Sequence, residues 1–239
     1  MLAAAELDNP ITWALLIGWI MTVVLHEWAH GFVAYLGGDY TIKERGGLSL
    51  NPLQYVDPVM SLILPAIFLM MGGIPLPGGV TYVRRELLRS RGWQSAVAAA
   101  GPAMNFLLFL LLSLPFHQRV GLIDATMPAG DYKTWHIFLG ALAQLQIIAA
   151  LLNLIPIPPL DGFNIISPYL DEETRTKVTT PPIPLFSLVV LFLVLSNVPA
   201  VHDAMFYVKN RILVLLGFNY EARDMIRQCF NFAVAGRND

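Results

Sequence analysis

Charge is scarce in this sequence. Only 13% of its 239 residues are Asp, Glu, Lys or Arg, against roughly 25% in an average soluble domain. The formal net charge of −2 gives no field for a polyanion, so no nucleic-acid partner is expected. Cysteine is scarcer still. Cys229 stands alone, which excludes an internal disulfide and any cysteine-based zinc site. Residues 1–10 hold Glu6 and Asp8 but no Lys or Arg, unlike the positive start of a cleavable signal. What fills the space is apolar. Ala, Val, Ile, Leu, Met, Phe, Trp, Tyr and Cys make up 56% of the chain, and the mean hydropathy is +0.58. Disorder is excluded by that content, and a bilayer-embedded domain is expected.

Four stretches are long and apolar enough to span, given that a spanning helix needs about 20 such residues. They run from Ile11 to Leu36, Ser95 to Phe116, Trp135 to Ile155 and Ile183 to Val201. A shorter apolar run, Val59 to Met71, contains Pro65 and lies between Pro58 and Gly72-Gly73. Its length suits a re-entrant or interfacial segment. Between it and the second span stand Arg84, Arg85, Arg89 and Arg91 against Glu86, which marks that loop as cytoplasmic by the positive-inside rule. From His202 to Gly236, Leu, Ile and Phe alternate with Lys209, Arg211, Arg223 and Arg227, the pattern of an interfacial amphipathic helix. The chain therefore divides into a core, 1–201, and a tail, 202–239.

The chemistry sits where charge is least expected. The first span contains His26-Glu27-Trp28-Ala29-His30. Residues i and i+4 share a helix face, so both imidazoles can reach one metal ion while the glutamate reaches a water on it. A pair of hydrogen-bonding histidines is the plainer alternative. Ionisable groups within a span are costly, however, and are functional by default. A catalytic zinc usually has three protein ligands. His117, His136 and His202 are possible third ligands, as is Asp161. The last follows three prolines in Asn153-Leu154-Ile155-Pro156-Ile157-Pro158-Pro159-Leu160-Asp161-Gly162. Those prolines stop the third span and leave backbone groups unpaired beside the aspartate. Capping of a local turn is the competing role for Asp161.

These motifs resemble the site-2 protease family of intramembrane zinc metalloproteases. The resemblance rests on His26 to His30, on Asn153 to Gly162, and on Gly101-Pro102-Ala103-Met104-Asn105 in the helix between them. Leu50-Asn51-Pro52 and Val56-Asp57-Pro58 are similar to the compact branch without a PDZ domain. It implies that His26, His30 and Asp161 hold one zinc ion per chain and that Glu27 is the catalytic acid and base. One departure stands out. Many compact members carry a lysine in a proline-rich stretch where this chain reads Gly73-Ile74-Pro75-Leu76-Pro77-Gly78-Gly79-Val80.

The metal set makes a topological demand, because His26, His30 and Asp161 must meet at one depth. If Val59–Met71 crossed the bilayer, the first and third spans would run oppositely and their ends would be separated by much of the roughly 30 Å core. A re-entrant segment lets both run the same way, with their common end on the cytoplasmic face and the N-terminus outside. Asn153, an amide in an apolar span, is a second catalytic expectation as an oxyanion stabiliser. Helix packing is the equal alternative for it and the favoured role for Gly101 and Asn105.

Asp39 to Leu50 reads as a glycine-turned hairpin and Val80 to Val83 as a short strand, an edge on which an extended substrate could add. The expected fold is an all-α membrane bundle of about four to six membrane helices, with a re-entrant segment and a small membrane-associated β-hairpin or sheet. The expected function is an intramembrane endopeptidase in a prokaryotic cell membrane, its site toward the cytoplasm. Its partners are a transmembrane protein substrate and the lipid bilayer. A zinc-containing scaffold or chaperone is the alternative, which Glu27 disfavours. A metal transporter would want more intramembrane acids than these spans offer. Substrate identity and oligomeric state are not legible.

Overall fold

The computed structural model describes residues 10–63 and 78–235. Three helices are long and apolar enough to cross a membrane. The first, α1 (Pro10–Gly37), runs for 28 residues and ends where Gly38 takes a φ of +119°. A one-turn helix, α2 (Thr41–Glu44), follows. The second long helix, α3 (Arg91–Ser113), is capped by Ser90, whose hydroxyl accepts from the Trp93 N–H. The third, α4 (Thr134–Asn153), stops at the proline run. Beyond it lie α5 (Asp161–Ile166), α6 (Glu172–Thr179), α7 (Ile183–Asn197), α8 (Pro199–Leu215) and α9 (Tyr220–Ala235).

The main core lies among α3, α4, α8 and α9, where Phe109, Phe116, Ile137, Ala141, Ile147, Leu213, Met225, Ile226 and Cys229 are buried together. Backbones approach closely there. A Cβ added to Gly140 of α4 would lie 2.6 Å from Cβ of Cys229 on α9, the small-residue packing that membrane helices favour. The stretch that reads as a tail thus supplies one wall of this core, with Ala222, Met225, Ile226, Cys229 and Ala233 of α9 facing inward. Helix α1 packs against α3 and α4 on the other side.

Three expectations need correction or restriction. The β-hairpin and strand do not form: among the described residues there is no strand. Residues 39–50 fold instead around the Asp39 carboxylate, which is fully buried. It accepts from Thr41 Oγ1 at 2.6 Å, from the Arg45 guanidinium at 3.0 Å and from the Arg84 N–H at 2.9 Å. Such local side-chain bonds give the backbone an alternative to a ladder, and here they wind it into α2. Residues 80–83 are extended but are held by scattered anchors. The Val80 N–H donates to Tyr55 O, the Tyr82 hydroxyl to Asp57 and the Arg45 guanidinium to Tyr82 O.

The fourth expected span is also broken. Helix α7 ends at Asn197, Pro199 opens α8, and α6 and α7 form a pair bent by 68°. The re-entrant expectation falls largely outside the described residues, since only 58–63 of that run is described, as a single π-helical turn. Its described flanks meet. The Gly78 N–H donates to Met60 O at 3.2 Å, and Ser61 Oγ donates to Gly78 O at 2.7 Å. The lysine-lacking stretch at 73–77 is outside the described residues too.

Asp39 gives a pH test. Burial pushes its carboxyl up, but the Thr41 hydroxyl, the Arg84 N–H and the Arg45 guanidinium together hold it below the ordinary carboxylate range. A depressed folded pKa adds stability that is present above the unfolded value of about 3.9 and lost as pH falls below it. Asp39→Asn is expected to destabilise the protein by about 2 kcal/mol at neutral pH, the scale of a hydrogen-bonded buried charge. Denaturation midpoints in detergent should converge between variant and parent as pH is lowered toward about 3. A gap that stays constant with pH would contradict this.

Candidate metal centre

His26 and His30 lie one turn apart on α1, and both are buried, as is Glu27 between them. The Nε2 atoms of the two histidines are 3.1 Å apart. Asp161 opens α5 just past the proline run and completes a triangle. Its Oδ2 is 3.2 Å from His26 Nε2, and its Oδ1 is 3.4 Å from His30 Nε2. Sequence spacing delivers the histidines, and the Pro156–Pro159 turn delivers the aspartate. Gly162 allows the return, because a Cβ there would lie 2.3 Å from Leu154 O. The turn is then pinned. Ser95 Oγ of α3 donates to Ile165 O, Arg85 donates to Asn164 Oδ1 and Ser167 Oγ, and Asn164 Nδ2 donates to Pro159 O.

The donor set fits a tetrahedral zinc. Ligands about 2.0–2.2 Å from such an ion lie about 3.3–3.6 Å from one another, and the observed separations of 3.1–3.4 Å come within about 0.2 Å of that range. Protonation agrees as well. His30 Nδ1 is 2.6 Å from Val97 O. A carbonyl only accepts, so Nδ1 carries a proton and Nε2 is the nitrogen turned to the triangle, where it can ligate a metal ion once deprotonated. Two imidazoles and a carboxylate converge at these distances, a set that a shared proton or a metal ion can bridge. Apart from His26 Nε2 at 3.2 Å, the buried Asp161 Oδ2 has no donor, which suits an oxygen that ligates a cation.

Gly101 of α3 lets the helix backbone come up against the two imidazoles. A Cβ built there would lie 2.3 Å from His30 Nε2 and 2.4 Å from His26 Nε2, a collision with both ligating nitrogens. Ligating atoms of His26, Glu27 and His30 also lie within 4.8 Å of one another. Asp161 closes the tighter triangle, which leaves the Glu27 carboxylate beside it. The centre opens into a cavity of about 720 Å³, lined also by Thr22, Thr81, Asn105, Gln146 and Asn153, within the usual size of a ligand site. Thr81 Oγ1 donates to Glu27 O at 3.0 Å, which ties the extended segment 78–83 to the helix that bears the site.

The expected residues sort clearly. His26, Glu27, His30 and Asp161 are brought together, and Asn153 lines the same cavity. His117 and His136 are elsewhere. His117 packs on Phe218, and His136 accepts from the Lys133 N–H at the start of α4. The His202 side chain is outside the description. Sequence reasoning gave Gly101 a packing role and missed its place beneath the imidazoles. A signal existed, since glycine inside a helix costs about 1 kcal/mol against alanine and so needs a reason. The Val97 carbonyl left no signal, being backbone.

No protein-family model matches the chain, and no solved structure matches it. Curated proteins do. The chain is 36% identical over 198 residues to the "Putative zinc metalloprotease Rip2" of Mycolicibacterium smegmatis, covering 80% of this chain and 72% of that protein. Identity to the Mycobacterium tuberculosis protein of the same name is 35% over 222 residues, 91% of this chain and 81% of the relative. The chain belongs to the site-2 protease family. A more distant relative, the "Putative zinc metalloprotease YwhC" of Bacillus subtilis, is 32% identical over 169 residues, 69% of this chain and 73% of that protein. Together with the three apolar helices, membership makes this a membrane protein with bacterial relatives.

Gly101→Ala tests the fit. The helix should persist, because alanine is the better helix former. Zinc content of the purified protein should fall at least about tenfold, because the methyl group would meet both ligating nitrogens at 2.3–2.4 Å and force the imidazoles out of place. Parent-level zinc in this variant would place the ion elsewhere.

Proposed function

We propose that this chain is an intramembrane zinc endopeptidase that hydrolyses peptide bonds in or near transmembrane helices of substrate proteins, as in regulated intramembrane proteolysis. The observation that carries the reading is the His26–His30–Asp161 donor triangle with the Glu27 carboxylate beside it. His26 and His30, through Nε2, and Asp161, through its carboxylate, would hold one zinc ion. Bound there, zinc supplies a Lewis acid that lowers the pKa of water to about 7.

Glu27 takes a proton from the attacking water and delivers it to the leaving amine nitrogen. Val97 O keeps the proton of His30 on Nδ1 and so keeps Nε2 free. Asn153 offers its amide N–H to the oxyanion that develops at the scissile carbonyl. A helical substrate hides its peptide groups, so the segment to be cut must enter the cavity unwound. Arg84 and Arg85 line the cavity, and with Arg89 and Arg91 they favour a site facing the cytoplasm. With bacterial relatives, the plasma membrane of a prokaryote is the corresponding location.

The decisive variant is Glu27→Gln. It should retain zinc and lose about 10²–10⁴-fold in cleavage of a transmembrane test substrate, the range of general acid–base catalysis. Undiminished cleavage would falsify the mechanism. Asn153→Leu should lower kcat by about 10²-fold, as for loss of one oxyanion donor, with zinc retained. An unchanged kcat would remove that role.

A further inference from the structure

The cavity wall holds a buried acceptor that the mechanism does not use. Gln146 of α4 is 1% exposed and lines the cavity. Its Nε2 donates to Thr22 Oγ1 at 2.9 Å, and Thr22 Oγ1 donates to Trp19 O at 2.8 Å. The single hydroxyl proton is committed to that carbonyl, so the hydroxyl must accept from the amide. This fixes the amide orientation with Nε2 toward Thr22. Oε1 is then left without a donor. Buried acceptors are almost always satisfied, and an amide within an apolar span points to function.

Position says what could satisfy it. Thr22 precedes His26 by one turn of α1, about 6 Å. Gln146 precedes Asn153 by seven residues, two turns on the same face of α4. An extended backbone advances about 3.3 Å per residue, so this acceptor stands about two residues of unwound chain from the metal donors. Unwinding a helix in an apolar site bares backbone N–H groups that need acceptors. We propose that Gln146 is a substrate-binding residue whose Oε1 accepts a backbone N–H of the unwound substrate, about two residues from the scissile bond. The inference rests on the protease reading above.

The test uses the full chain in bilayers and a transmembrane substrate in which single backbone amides near the cut are replaced by esters, each deleting one N–H. One ester, about two residues from the cut, should lower kcat/KM of the parent enzyme by about tenfold, the weight of one hydrogen bond. Gln146→Leu should lose about the same on the all-amide substrate and be insensitive to that ester. Its zinc content should not fall, and the small drop in melting temperature expected from losing the Nε2–Thr22 Oγ1 bond does not depend on the substrate ester. Parent activity indifferent to every ester overturns the proposal, whether or not the variant folds. Equal ester effects in parent and variant overturn it too, leaving Oε1 to water or packing. A parent enzyme that cuts no substrate at all would count instead against the protease reading.

Discussion

Two imidazole nitrogens and a carboxylate face one another within 3.4 Å in a buried pocket. Such a convergence needs a shared positive charge, a proton or a metal ion, because an unpaired carboxylate in surroundings of low dielectric is costly. Everything near it makes the convergence possible. Helix α1 stacks the histidines on one face. The proline run ends α4 at the right depth and turns Asp161 back. Gly162 lets that turn close on Leu154, and Gly101 lets α3 come up against the two imidazoles without a collision. Asn105, Gln146 and Asn153 of the long apolar helices line the same cavity.

A second layer of polar contacts holds the extended segment 78–84 over this centre. Asp39 takes the Arg84 N–H, Asp57 takes the Tyr82 hydroxyl, Ser61 binds Gly78, and Thr81 binds the carbonyl of Glu27 itself. Arg85 then continues to Asn164 and Ser167, beside the turn that carries Asp161. Loop and ligand turn are thus one connected unit. Its anchors are side chains and two isolated backbone bonds, Gly78 N–H to Met60 O and Val80 N–H to Tyr55 O, and not a sheet ladder.

The site was far more legible than the loops. His26, Glu27 and His30 stand out because charge inside an apolar span has to be explained, and Asp161 because three prolines interrupt the helix before it. The hairpin at 39–50 misled because Tyr40-Thr41-Ile42 and Gly46-Gly47 carry strand and turn signals. The outcome there is set by the burial of Asp39 and by its long-range partner at Arg84, which no local pattern contains. Helix α9 reads as a surface helix because its apolar face, Met225, Ile226 and Cys229, cannot say what it packs on. Gly140 of α4 supplies the answer only in three dimensions. Pro199 could have marked the break after α7, since proline so often opens a new helix.

The central claim is that one zinc ion joins His26, His30 and Asp161. X-ray absorption at the zinc edge of the purified, catalytically silent Glu27→Gln protein tests it most directly. The account predicts one zinc per chain with two imidazole nitrogens at about 2.0–2.1 Å and carboxylate and water oxygens at about 2.0–2.2 Å. Asp161→Ala should remove one of those oxygens or the ion itself. Absence of zinc in the intact protein, or a coordination shell unchanged by Asp161→Ala, would contradict the account.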